Sequence, residues 1–270
     1  MTNPNAKPAI VLIPGLWETS LAWEHWVENY KARGFEVIAK SWPGMDKSVA
    51  ELRANTGAYA NLGIGEIVDH YAAIIEKLPV APIIMGHSFG GAVTEILLDR
   101  GLGSAGVAIA PAPLKGIYLL PFASLKSAFP VLKNPANNHK AVMLTHDEYH
   151  YAFTNSQSLE DSKAAYDRYA VPGPGHVLFQ AALANFAPHA AARVDYKNAN
   201  RAPLLLVGGS IDHTVPASVV KKTGKLQDRS GAVTYYKEFE GRNHFTLGQP
   251  GWEAVADFAF NWAVNPVEMD

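Results

Sequence analysis

The chain has 270 residues, 25 Asp and Glu against 23 Lys and Arg, a formal net charge of −2 and no cysteine. The length suits one large domain or two small ones, and a hydrophobic share of 48% with 18% charged residues is that of an ordinary globular protein. Lack of cysteine excludes disulfides, a thiol nucleophile and cysteine-ligated metal, and the scattered Lys and Arg form no basic stripe of the kind that meets nucleic acid or an anionic membrane.

Met1 to Pro8 is polar and carries no apolar core of a signal peptide. No apolar run approaches the roughly 20 residues of a membrane span. The expectation is a cytoplasmic protein, monomer or homodimer, whose partner is a small-molecule substrate rather than nucleic acid or membrane.

In chain order, Ala9 to Ile13 is an apolar run ended by Pro14-Gly15 and reads as a buried strand. Leu21 to Arg33 has helical spacing through Trp23, Trp26, Val27 and Tyr30, with Gly34 placed as its C-cap. Trp23, Trp26 and Trp42 read as packing residues. Phe35 to Ala39 is a second strand, closed by the turn Ser41-Trp42-Pro43-Gly44. Ile64 to Leu78 is a helix, Pro82 to Met85 a strand, Gly90 to Arg100 a helix capped by Gly101, and Val107 to Ala110 a strand. Short apolar strands alternating with amphipathic helices predict an α/β fold with a mostly parallel sheet covered on both faces.

The rhythm breaks from about Pro111 to Asn185, a stretch rich in proline and aromatics. It is too long for a plain loop and reads as a mostly helical insertion. Strands return at Pro203 to Val207 and Val233 to Phe239, and Gly251 to Ala263 is a closing helix. Lys221, Lys222 and Lys225 read as a solvated helix end. The division predicted is a core of 1–112 and 191–270 with a helical cap at 113–190.

The segment Pro82-Ile83-Ile84-Met85-Gly86-His87-Ser88-Phe89-Gly90-Gly91 holds G-x-S-x-G between a strand and a helix. That context is what a nucleophile elbow requires. Ser88 would sit on a sharp turn, with glycines on both sides because side chains there would collide. The Phe89 N–H, at a helix N-terminus, would face an oxyanion. A serine hydroxyl needs a base to take its proton, and on this fold the acid and the histidine follow the serine in that order. Gly208-Gly209-Ser210-Ile211-Asp212-His213-Thr214-Val215-Pro216 puts Asp212 past a strand end, and Gly241-Arg242-Asn243-His244 puts His244 on the loop before the last helix. Taken singly, Asp212 could as well cap a turn and His244 could be a solvent-facing loop residue; order and placement agree for all three together.

These segments, with Ile13-Pro14-Gly15-Leu16-Trp17 after the first strand, resemble the α/β-hydrolase superfamily, and among it the Ser/Asp/His esterase and lipase-like members with a helical cap. The resemblance covers about Ala9 to Ala110 and Arg201 to Val264. It implies acyl transfer through Ser88, with His244 as base, Asp212 as orienting acid, no cofactor and no metal. The family often has His-Gly where this chain has Pro14-Gly15. By position the second oxyanion donor is then the Leu16 amide, with Trp17 as its rival. Trp17, Phe122, Tyr149 and Phe153 are expected at the substrate, and His87 and His213 as supporting residues. The same triad also serves cofactor-free perhydrolases or haloperoxidases and C–C hydrolases, and a non-turnover ligand receptor is the alternative class. His146 and His150 stand at i, i+4, but the intervening glutamate is out of register for a zinc motif and no third ligand follows.

Overall fold

The computed structural model describes residues 7–267. Six strands form one sheet in which every pairing is parallel: β1 (Ile10–Ile13), β2 (Val37–Ala39), β3 (Ile83–His87), β4 (Ala105–Ile109), β5 (Leu204–Gly209) and β6 (Thr234–Phe239). Their order across the sheet is β2-β1-β3-β4-β5-β6. The two-residue alternation of strand side chains divides the core. Ile10 and Leu12 face the cluster built by α1 (Glu24–Ala32) and the closing helix, with Trp23, Trp26 and Tyr30. Val11 and Ile13 face the opposite cluster, with Ile67, Tyr71, Val93 and Leu97. Burial on both faces is why the four central strands, β1, β3, β4 and β5, read as mostly apolar runs, whereas the edge strand β6 is half-exposed and carries Lys237 and Glu238.

The remaining helices are α2 (Val49–Ala54), α3 (Ile64–Ile75), α4 (Phe89–Asp99), α5 (Phe122–Leu132), α6 (His146–Ala152), α7 (Leu159–Tyr169), α8 (Gly175–Ala182), α9 (Ala217–Gln227) and α10 (Trp252–Val264). Helices α5 to α8 lie between β4 and β5 in the chain, with a small antiparallel pairing of Ala141–Val142 with Gly173–Pro174. The helix expected from Leu21 begins instead as a 3-10 turn over Ser20–Trp23, because the Thr19 hydroxyl accepts from the Leu21 amide and starts the turn early. Helix α2 was not anticipated; its six residues are too few to show a period, although Ser48 and Glu51 form a capping box. Gly34 and Gly101 both follow helix ends at positive φ, as left-handed caps require.

The strand order sets where a site can form. From β1 the chain steps to β2 on one side, then crosses to β3 on the other. The connections out of β1 and β3 therefore leave in opposite directions, and the loops just after these neighbouring strands lie side by side at the C-terminal edge, the usual ligand position of an open parallel sheet. Those loops carry Gly15 to Glu18 and Ser88.

Candidate active site

Ser88 follows β3 directly and stands at the N-cap of α4 with φ 54° and ψ −119°. This is a left-handed conformation that costs a non-glycine residue about 1–3 kcal/mol. Its neighbours allow it: a Cβ on Gly86 would run into the Gly90 carbonyl and the Thr94 hydroxyl, and one on Gly90 into the Ile13 carbonyl. A Cβ on Gly15 would come within 2.8 Å of the Ser88 Cβ, so the loop after β1 lies hard against the serine.

The fold brings Ser88, His244 and Asp212 together from positions far apart in the chain. The Ser88 Oγ lies 3.0 Å from His244 Nε2, and His244 Nδ1 lies 2.7 Å from Asp212 Oδ2. Asp212 is held by its own loop, its Oδ1 accepting from the amides of Thr214 at 2.7 Å and Val215 at 2.8 Å. With Nδ1–H donating to the carboxylate, Nε2 is left as the acceptor facing the serine hydroxyl. All three groups are buried; Ser88 is 4% exposed. Around the serine the amides of Leu16, Trp17 and Phe89 have no hydrogen-bond partner among the described residues. Trp17 has φ 67°, and the Trp42 indole holds the loop by donating to the Pro14 carbonyl at 3.0 Å.

A second buried pair lies behind the histidine, and sequence reasoning missed half of it. Glu18 Oε2 accepts from the Gly15 amide at 3.2 Å and pairs with His87 Nδ1 at 2.9 Å, while His87 Nε2 reaches the His244 carbonyl at 2.8 Å. A ring that faces a carboxylate on one side and a carbonyl on the other must carry a proton on both nitrogens when that carboxylate is ionised. Burial alone would raise the Glu18 pKa, yet attraction to His87 and the hydrogen bond with it outweigh burial and hold it below the ordinary 4.5. Burial alone would lower the His87 pKa, yet attraction and hydrogen bonding to Glu18, with a contribution from Asp212, raise it above the ordinary 6.5. In the sequence Glu18 is only the first of three polar residues, Glu18-Thr19-Ser20, between Trp17 and Leu21, and nothing there marks it as buried.

The inserted helices wall the site. Phe153 meets the His244 ring edge-on at 4.9 Å, Tyr149 stacks on Phe153 at 4.8 Å, and Trp17 meets Phe153 edge-on at 6.1 Å. The end of α6 is tied to both loops of the triad. Phe153 accepts from the Phe245 amide at 2.9 Å, Ala152 from the Thr214 hydroxyl at 2.7 Å, and Asn155 donates to the Ile211 carbonyl at 3.0 Å. Phe122 is not brought to this cluster: its ring stands 78% exposed on the outer side of α5, because the helix turns Ser127 and Val131 inward instead. His213 lies at the rim, with its Nδ1 3.0 Å from the Tyr151 carbonyl. His146 and His150 serve local hydrogen bonds, to Ser162 and Thr154 respectively.

Comparison with known proteins assigns the family. The profile of the alpha/beta hydrolase family matches residues 10–258. The chain belongs to that family. No curated protein matches it by sequence. Among solved structures, a pyrethroid hydrolase from Sphingobium faniae JZ-2 is 15% identical with a TM-score of 0.68, covering 96% of this chain and 98% of that one. An extracellular alpha/beta-hydrolase from a Paenibacillus species is 20% identical with a TM-score of 0.67, covering 94% of this chain and 98% of the other. A methylesterase from Arabidopsis is 15% identical with a TM-score of 0.66, over 96% and 99% of the two chains. At these identities the likeness is one of fold. Among the described residues no helix is long and apolar enough to cross a membrane.

Proposed function

We propose that this hydrolase cleaves a carboxylic ester, or a related acyl bond, of a small to medium apolar substrate through an acyl-enzyme on Ser88. The observation that carries the reading is the continuous chain of short contacts from Ser88 Oγ through His244 to Asp212. His244 Nε2 takes the hydroxyl proton as Oγ bonds to the carbonyl carbon. The negative oxygen is held by the Phe89 amide and by that of Leu16, or of Trp17 in its place. Collapse breaks the bond to the leaving alkoxide, which receives the proton from His244. Water then gives a proton to His244, attacks the acyl carbon and releases the acid, and the proton returns to Ser88. Asp212 keeps the ring in the tautomer that this sequence needs and stabilises its cation. Residues 113–190 act as a helical cap on the core of 1–112 and 191–270, and Trp17, Tyr149 and Phe153 form the apolar wall that excludes water. The methylesterase among the structures it resembles supports the same bond class.

The test is a p-nitrophenyl ester series from acetate to palmitate on wild type and Ser88→Ala, with phosphonate labelling of both. The expected result is labelling at Ser88 and hydrolysis with a chain-length optimum, both lost in Ser88→Ala. Undiminished hydrolysis by Ser88→Ala would remove the reading. Labelling of Ser88 without any ester hydrolysis would keep the nucleophile and move the bond to another class.

A further inference from the structure

Eight of the eleven large apolar side chains most exposed among the described residues belong to one part of the insertion: Tyr118, Leu119, Leu120, Phe122, Leu125, Phe129, Leu183 and Phe186. They form one surface because the chain is pinned there. The Asn185 side chain accepts from the Gly116 amide at 2.7 Å and donates to the Ile117 carbonyl at 2.9 Å, and Lys115 Nζ donates to the Ala187 carbonyl at 2.5 Å. Phe186 and Tyr118, 84% and 76% exposed, are thereby held beside the start of α5. On α5, Phe122, Leu125 and Phe129 follow the i, i+3, i+7 spacing of a single helix face, and Lys126 and Lys133 fall on that same face. The opposite face buries Ser127 and Val131. Helix α5 is thus apolar toward solvent.

Its charge is one-sided. Between Gly101 and His146 there is no Asp or Glu and there are four lysines, Lys115, Lys126, Lys133 and Lys140. Between Tyr169 and Val194 there is again no acid, and Arg193 adds a cation. The lysines stand seven or eleven positions apart in the chain, so no basic cluster shows in the sequence. On α5, Lys126 and Lys133 share the face of the apolar ridge, and Lys115 lies at its edge beside Ala187, in a protein whose total charge is negative.

We propose that this ridge is a docking surface for an anionic lipid bilayer. Aromatic and leucine side chains enter the interfacial layer while the lysines meet lipid phosphates, the pattern of surface-lying amphipathic helices. A second copy of the chain fits less well. A two-fold contact through the ridge would set Lys126 and Lys133 against their own copies, with no carboxylate in either acid-free segment to pair them. The inference is independent of the chemistry at Ser88.

The experiment is flotation of the full chain with vesicles of phosphatidylcholine alone or with about 30% phosphatidylglycerol, at low and high salt. It compares wild type with Leu125→Ser/Phe129→Ser and with Lys126→Glu/Lys133→Glu. Wild type should bind the anionic vesicles at least about tenfold better than the neutral ones, and less well at high salt. Both double variants should lose about tenfold or more of that binding while remaining folded, because the replaced side chains are exposed and the Lys126 ammonium gives up only its contact over the Tyr151 ring. Equal binding to both vesicle types, or retained binding by either variant, overturns the proposal. So does a wild-type dimer in light scattering that Leu125→Ser/Phe129→Ser converts to monomer with no vesicle binding by either, which would assign the ridge to a second copy.

Discussion

Replacing Glu18 by glutamine keeps the shape of the side chain and removes its charge from a fully buried pair. In the wild type the carboxylate is what allows His87 to be doubly protonated, and so to bond Glu18 and the His244 carbonyl at once. In Glu18→Gln a charged His87 would have no counter-charge. The cheaper response is loss of its proton, after which a single N–H is left for two acceptors. Removing one partner of a buried pair costs about 3–5 kcal/mol. The retained amide acceptor and the proton release reduce that to about 2–3 kcal/mol, or roughly 5–10 °C in Tm for a chain of this size. The cost should vary with pH in a defined direction. Glu18, with its pKa lowered, contributes stability that is present above pH 4.5 and is lost as pH falls through its folded value. His87, with its pKa raised, contributes stability that is present below pH 6.5 and is lost as pH rises through its folded value. The gap between wild type and variant should therefore be widest between pH 4.5 and 6.5 and narrow on both sides. Because Glu18 also holds the Gly15 amide and His87 the His244 carbonyl, kcat/KM for a p-nitrophenyl ester should fall by about ten- to a hundredfold through displaced loops. Thermal melts of both proteins across that pH range, with the ester assay alongside, decide the matter. A variant as stable as wild type, or a gap that does not change with pH, would refute the ion-pair account.

Asp212→Asn should leave Tm nearly unchanged, since Oδ1 can still accept from Thr214 and Val215, but should lower kcat by about 10⁴ because an amide N–H facing Nδ1 selects the wrong tautomer of His244. A loss under tenfold in steady-state kinetics would remove Asp212 from the role proposed. Glu95 gives a separate pH-dependent test: burial raises its pKa to about 7 against the opposing hydrogen bond from Gln227 and attraction to Arg201. A carboxyl raised in this way stabilises the fold fully below pH 4.5 and less as pH rises through about 7. Glu95→Gln, which can still accept from Gln227, should be more stable than wild type near pH 8 by about 2–3 kcal/mol and show no such advantage near pH 4.5, measured by urea unfolding. An advantage of equal size at both pH values would show that packing, not titration, is responsible.

What the sequence determined by itself is what local physics determines. Ile10–Ile13 and Ile83–His87 are legible as strands because burial on both faces demands unbroken apolar runs. The elbow is legible because the glycines beside Ser88 are required by contacts within a few residues of it and by a strand known to lie beneath it. Chain order then placed Asp212 and His244 at strand ends, where a parallel sheet gathers its loops. The tertiary structure decided everything that depends on which surfaces meet. Glu18 and His87 are 69 positions apart, and nothing near either one announces the other; they pair because the crossover from β2 to β3 sets the loops after β1 and β3 side by side. Tyr149, Phe153 and Phe122 read alike in sequence as aromatics of one insertion, and only the packing of α5 and α6 separates them, setting Phe153 on His244 with Tyr149 stacked behind it and sending Phe122 to the surface. A helical period fixes which residues share a face, but the direction of that face is settled by the neighbours it packs against.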